Sequence, residues 1–208
     1  MTCHRQSFGV HSFDVDPFDQ LTVTALGGYL QEAANGHVRA LGWGLDALGR
    51  RGLTWVLGAM QVEILAPIHD TAHLTVQTWP SGRERLAVLR DFEVVDGAGA
   101  VVARAVSQWL LLDLERRRPV RPEAVIDPAL LVEARHVLPP LRDKLPQLER
   151  WTEERRLSVR YQDIDMNLHA NNAAYLSWLV DAVPEPTWQG CRLGSAEVQY
   201  LAECRRGS

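Results

Sequence analysis

Residues 163–172 read Asp-Ile-Asp-Met-Asn-Leu-His-Ala-Asn-Asn, and about thirty residues further on stand Glu203 and Cys204. Asp165, Asn167, His169, Glu203 and Cys204 thus bring two acids, an amide, an imidazole and a thiol between hydrophobic segments. That mixture suits hydrolysis or acyl transfer better than simple binding. A carboxylate or imidazole can accept a proton, and an amide can orient a water or hold developing charge.

Each residue also has a plainer reading. Asp163 and Asp165 suit turn or helix caps, and Asn171 suits the N-cap of a helix beginning there. A lone histidine such as His169 is more often structural than catalytic. Glu203 and Cys204 follow a strand-like run, and adjacent strand residues point to opposite faces. Without a bulge, one of the pair faces His169 and the other supports it. No metal site is expected: the histidines are scattered, and no paired-cysteine or HxxxH spacing occurs. Gly27-Gly28 lacks the spacing of a nucleotide-binding loop.

The elements that must hold these residues form a degenerate repeat. The first copy opens with a strand over 8–15 and a turn through Asp16-Pro17-Phe18-Asp19. A helix follows from Thr24 to Leu41, with Leu26, Tyr29, Leu30, Ala33, His37, Ala40 and Leu41 along one buried stripe. Gly27 and Gly28 suggest a close approach to a sheet. Strands are then expected over 54–65, 73–79, 86–95 and 101–114, separated by Pro67, Pro80-Ser81-Gly82 and Asp96-Gly97-Ala98-Gly99. The fold class is α+β: an antiparallel sheet wrapped around a long helix.

After a charged, proline-bearing stretch the pattern restarts, with a strand at 157–161, a turn at 163–167 and a helix at 171–180. Placing Tyr175 on Tyr29 aligns Asp165 with Asp19, Asn167 with Leu21 and His169 with Val23. Val198–Ala202 aligns with Val62–Ala66. The first copy is apolar where the second carries Asn and His, so the first encloses substrate and the second carries chemistry. The expected organisation is an N-terminal unit at 8–122, a solvated linker at 123–155 and an incomplete C-terminal unit at 156–208. So short a second unit exposes a sheet edge and a helix face. Either another copy covers them, as in a homodimer, or the sequence is a truncated form of a longer protein; truncation is the expectation adopted.

Net charge near −4 gives no general electrostatic reason to bind nucleic acid. No apolar run approaches the 18 residues of a membrane-spanning helix. Three irregularly placed cysteines do not make a disulfide framework. With no apolar signal-peptide core at the N-terminus, a reducing, cytoplasmic setting is expected.

Asp165-Met-Asn-Leu-His-Ala-Asn-Asn172, a helix bearing Tyr175 and Trp178, and Tyr200-Leu-Ala-Glu-Cys204 together resemble the acyl-acyl-carrier-protein thioesterases of plants and bacteria. Thr54-Trp-Val-Leu57, Met60-Gln-Val-Glu-Ile64, Thr78-Trp-Pro-Ser-Gly82, Arg90-Asp-Phe-Glu-Val94 and Ser107-Gln-Trp109 add to it, so that the resemblance covers residues 8–205. It implies a tandem hot-dog fold and hydrolysis of fatty acyl thioesters on acyl carrier protein, with no cofactor. It maps a catalytic set onto Asp165, Asn167, His169 and Glu203, with Cys204 beside them. In the reading adopted, Asp165 and His169 orient Asn167 while Glu203 takes a proton from water; Cys204 as nucleophile is the alternative. Trp55, Leu57, Met60, Ile64 and Trp79 are candidate acyl-pocket residues. Arg83, Arg85 and Arg90 are candidate docking charges for an acidic carrier, and Arg116, Arg117, Arg118 and Arg121 form a second basic run. The rival functions are a hot-dog thioesterase acting on coenzyme A esters and a non-catalytic acyl-binding remnant.

Overall fold

The computed structural model describes residues 3–127, 129, 135–147, 149–150 and 154–207. β1 (His4–Gly9) leads to α1 (Val23–Ala40) and a short α2 (Leu45–Gly49). Four long strands follow: β2 (Leu53–Ile64), β3 (His73–Glu84), β4 (Ala87–Val95) and β5 (Val101–Asp113), then the short β6 (Arg118–Val120). The second copy supplies α3 (Asn172–Asp181), α4 (Glu185–Trp188) and β7 (Ser195–Gln199).

α1 starts where Thr22 Oγ1 accepts from Ala25 N at 3.1 Å, a helix cap of the usual kind. Its buried stripe of Leu26, Leu30, Ala33, Ala34 and His37 lies in the concave face of one antiparallel sheet, ordered β1-β3-β4-β5-β2-β7, with β6 also on β5. Leu57, Met60, Val62, Leu74, Val76, Phe92, Val94, Ala103 and Ala105 meet it there as the main core. This is the hot-dog arrangement, and the two copies share a single sheet.

They join through β2 and β7. Met60 pairs with Val198 and Val62 with Ala196, while Gln61 pairs with Glu197. Because Val62 and Val198 are corresponding positions of the repeat, a local pseudo-twofold axis passes through the Gln61–Glu197 pair.

Several sequence expectations change. The first strand lies at His4–Gly9, not 8–15. β3 runs on through Pro80-Ser81-Gly82 to Glu84, because a bulge between Pro80 and Gly82 absorbs the proline. No strand forms at 157–161, where a 3-10 turn (Tyr161–Asp163) stands instead. In the first copy β1 has β3 to pair with, whereas among the described residues the second copy offers no such partner. Gly27 abuts α3, not the sheet.

The linker is a strap rather than a solvated connector. Its described residues cross the convex face of the sheet from β3 and β4 to β7. Trp79 Nε1 donates to Arg135 O at 2.8 Å, and Arg135 clasps Glu93 with bonds of 2.6 and 3.2 Å. Val137 N donates to the fully buried Asp91 at 2.7 Å. Leu138 and Leu141 cover Ala59 and Val106. Leu145 N then donates to Gln199 Oε1 at 3.2 Å, and Gln199 Nε2 donates to Arg142 O at 2.8 Å. Polar groups on the outer strand face recruit this covering, because each would otherwise be left without a partner beneath it.

Candidate active site

The polar loop of the second copy is a tight turn entering α3. Asp165 N donates to His169 O at 3.0 Å and Leu168 N to Asp165 O at 3.0 Å. Leu168 has a left-handed backbone, φ 64°. Asp165 Oδ1 accepts Asn167 N at 2.8 Å, and its Oδ2 accepts Asn167 Nδ2 at 3.4 Å. Asn171 caps α3 by accepting Ala173 N at 2.8 Å.

The same turn occurs in the first copy, which corrects the repeat alignment. Asp16 N donates to Gln20 O at 2.8 Å, Asp19 N to Asp16 O at 3.0 Å, and Asp16 Oδ1 accepts Phe18 N at 2.9 Å. Asp19 repeats the left-handed backbone at φ 56°. Asp165 therefore corresponds to Asp16, Asn167 to Phe18, His169 to Gln20 and Asn171 to Thr22; Asp165 does not correspond to Asp19. Matching tyrosines misplaced the loop by one helical turn, since i and i+3 share a helix face. The strand alignment agrees with the ladder: Leu21 N donates to Ile68 O at 2.7 Å, and Ala170 N to Cys204 O at 2.8 Å.

Those last bonds bring the distant Glu203-Cys204 beside the loop. His169 Nε2 lies 3.1 Å from Glu203 Oε2, and Arg117 Nη2 donates to the same oxygen at 3.3 Å. Tyr175 Oη bridges the residues on either side of Glu203, donating to Ala202 O at 3.2 Å and accepting Cys204 N at 3.1 Å. Burial first, and then the Cys204 side chain, push the Tyr175 phenol up to about 12 against the lowering effect of the Cys204 N–H. Asp163 is held below the usual carboxylate range: burial alone would raise it, but the backbone and side-chain bonds from Arg160 outweigh burial.

These groups border a cavity of about 710 Å³. Asp165, Asn167, His169 and Glu203 line it and Cys204 does not. His169 contacts Glu203, and among the described residues no hydrogen bond joins it to Asn167. α1 runs along the cavity from Gln31, which accepts from Asn172 Nδ2 at 3.4 Å, to Val38. Seven steps of helix from Gln31 to Val38 rise about 10 Å. Trp43, Trp55, Val88 and Ile126 make an apolar wall beyond Val38.

Of the five candidate pocket residues, Trp55 and Leu57 line this cavity. Met60 is core, Ile64 packs against the core, and Trp79 lies under the strap with Arg135 stacked 4.7 Å above its ring. Alternation along β3 turns Trp79 to the outer face, whereas Ile64 shares the inner face of Met60 and Val62 but lies beyond the cavity lining. Arg90 cannot dock a partner: it is buried in the cavity wall, donating to Thr78 Oγ1 and contacting His37 Nδ1, each at 3.1 Å. Burial pushes its guanidinium down to about 10. Arg83 pairs with Glu123 and Arg85 lies 3.8 Å from Asp143. Among the described residues no His, Cys, Asp and Glu group is disposed to hold a metal ion, and no helix is long and apolar enough to cross a membrane.

The roles of Tyr175 and Tyr200 as clamps were not legible in the sequence. Tyr200 Oη donates to Asn172 O at 3.3 Å, a contact made by neighbouring elements rather than by any motif.

A single sheet shared by two hot-dog copies brings Asp165, Asn167, His169 and Glu203 to the lining of one cavity. The family description "Acyl-ACP thioesterase N-terminal domain" matches residues 1–128, and "Acyl-ACP thioesterase C-terminal domain" matches residues 147–208. The chain belongs to the acyl-ACP thioesterase family. It is 31% identical to a chloroplastic acyl-[acyl-carrier-protein] hydrolase of Cuphea viscosissima over 98% of this chain and 52% of that one. A chloroplastic palmitoyl-acyl carrier protein thioesterase of Cuphea hookeriana is 29% identical, over 98% and 52%. The chain thus spans about half the length of these relatives. The crystal structure of an acyl-ACP thioesterase from Bacteroides thetaiotaomicron superposes with a TM-score of 0.86 at 29% identity, covering 99% of this chain and 83% of that one. The 12:0-ACP thioesterase of Umbellularia californica gives 0.81 at 25%, covering 98% and 84%.

Proposed function

We propose that the protein hydrolyses fatty acyl thioesters carried on acyl carrier protein, releasing the free fatty acid. The observation that carries this reading is the His169–Glu203 contact of 3.1 Å at the mouth of a largely apolar cavity. The acyl chain occupies the space along α1, with its far end against Trp43 and Trp55. The thioester carbonyl sits at the loop, near Asn167 and the amino end of α3, whose dipole and N–H groups favour a developing oxyanion.

Asp165 holds the Asn167 amide so that it can orient an attacking water. Glu203 accepts one proton of that water as its oxygen bonds to the carbonyl carbon. The tetrahedral intermediate then collapses, the carbon–sulfur bond breaks, and the departing thiolate takes the proton back from Glu203. The products are a carboxylic acid and a free thiol, and the enzyme is regenerated.

Cys204 is the weaker nucleophile candidate. Its backbone is engaged on both sides, by Ala170 N at its carbonyl and Tyr175 Oη at its amide, and the residue stands outside the cavity lining. The deciding experiment is hydrolysis of medium- and long-chain acyl carrier protein thioesters beside the same coenzyme A thioesters. Preferential turnover of the carrier-linked series supports the proposal. A folded protein that prefers coenzyme A esters, or that binds acyl ligand without turnover, would displace it.

A further inference from the structure

Glu203 belongs to the second copy, yet one of its two contacts comes from the first. Arg117 stands on the turn between β5 and β6. Asp113 fixes this turn: its Oδ1 accepts Glu115 N at 3.0 Å and Arg116 N at 2.8 Å, and its carbonyl accepts Arg117 N at 2.9 Å. Arg117 itself is in the left-handed region, φ 55°. The first copy thus sets the guanidinium beside Glu203 on the cavity lining. Stability does not explain the arrangement, because an ion pair with side chains 58% and 35% exposed contributes little.

Both contacts fall on one oxygen. His169 Nε2 and Arg117 Nη2 meet Glu203 Oε2 at 3.1 and 3.3 Å, while Oε1 has no hydrogen bond to the described residues. Arg117 donates to Oε2 and His169 Nε2 stands beside the same oxygen, so Oε2 is engaged while Oε1 is left to meet a water. We infer that Arg117 is a positioning residue for Glu203, supplied across the copy boundary, and that Glu203 Oε1 is the proton-accepting atom. This rests on the thioesterase reading for its chemistry but not for its geometry. The active site is accordingly composite: neither copy holds the carboxylate in place alone.

The test compares wild type, R117M, R117K, E203Q and R117M/E203Q on an acyl-pantetheine thioester, a small substrate that involves no carrier docking. R117M is expected to lower kcat about tenfold with KM within about twofold, since only the reacting geometry changes. R117K, which keeps a donor at that place, is expected to recover most of the loss. In the E203Q background, R117M should cost nothing further. Additive losses in the double variant, or a change confined to KM, would overturn the inference. A second readout does not depend on turnover. The Glu203 carboxyl carbon, observed by NMR, should keep nearly its wild-type resonance in R117K and shift in R117M, which removes the Arg117 hydrogen bond. An unchanged signal in R117M would also overturn it. Should the wild type turn over no thioester, the proposed function fails, and the NMR comparison still decides the role of Arg117.

Discussion

Gly27 of α1 and Leu176 of α3 are corresponding positions of the two copies, and they meet face to face. A Cβ built on Gly27 would stand 2.7 Å from Leu176 Cδ1. The local twofold axis through Gln61 and Glu197 in the sheet thus recurs between the helices. One member of the pair is small because two leucines cannot occupy the axis together. Replacing Gly27 by Val should destabilise the protein by about 1–3 kcal/mol, through overpacking against a buried leucine. Leu176→Ala should cost about 2–4 kcal/mol by leaving a cavity at the same place. Denaturant unfolding of both variants checks this; a G27V midpoint equal to wild type would mean the helices part freely.

The site residues predict a separation of activity from stability. His169→Ala and Glu203→Gln should each reduce turnover by at least ~10²-fold with a thermal midpoint near wild type, because both side chains are solvent-accessible. Cys204→Ser should retain most activity. Steady-state rates on one acyl thioester decide the matter: a C204S rate as low as that of E203Q would return the thiol to the centre of the mechanism.

The apolar wall predicts chain-length selection. Trp55 donates from Nε1 to Trp43 O at 3.2 Å, so its indole is anchored to the Trp43 main chain on the apolar wall of the cavity. Trp55→Leu should open that wall and move the preferred acyl chain upward in length, as read by product analysis over a graded thioester series. An unaltered product profile would place the chain terminus elsewhere.

Strap and sheet should unfold as one unit. Asp91 is fully buried and accepts from Val137 N, with His136 Nδ1 3.2 Å away. Asp91→Ala leaves the Val137 amide without its partner and should cost about 1–3 kcal/mol. The cut rate of the 135–147 segment by a protease in native buffer should rise with it. A variant as resistant as wild type would show that the strap holds by its leucines alone.

Tyr175 gives a pH dependence with a definite sign. Its phenol is raised to about 12 in the folded protein, above the ordinary value of 10.0. A group raised in this way contributes stability that is fully present below about pH 10 and lost as pH climbs through 12. Tyr175→Phe should therefore narrow its stability deficit against wild type between pH 9 and pH 12 in denaturant titrations. A constant deficit over that range would assign the alkaline loss to another group.

Some of this was legible in the sequence because it depends on short-range chemistry. The stripe of Leu26, Leu30 and Ala33 specifies a helix with one buried face, and alternation marks β2 to β5. The Asp165–His169 turn can be read from its Asx chemistry and the Asn171 cap. The strap could not be read in that way. Charged, proline-bearing residues look solvated until Asp91 and Glu93 are seen beneath them, and no local pattern marks those two as outward-facing. The repeat register failed for a related reason: Tyr175 and Tyr29 match as residue types, but backbone turns and not side chains set the correspondence.

By itself the sequence determined the elements, the two-copy plan and the polar set Asp165, Asn167, His169 and Glu203, since periodicity, capping and residue type are written within a few residues of each other. The tertiary structure alone decided that His169 contacts Glu203, that Arg90 is inside, and that Arg117 reaches Glu203 from the other copy. Those facts depend on which strands pair and where the shared sheet brings distant segments together. Contacts between residues 86 positions apart in the chain are fixed by the packing of the whole molecule, not by any local preference of the residues that make them.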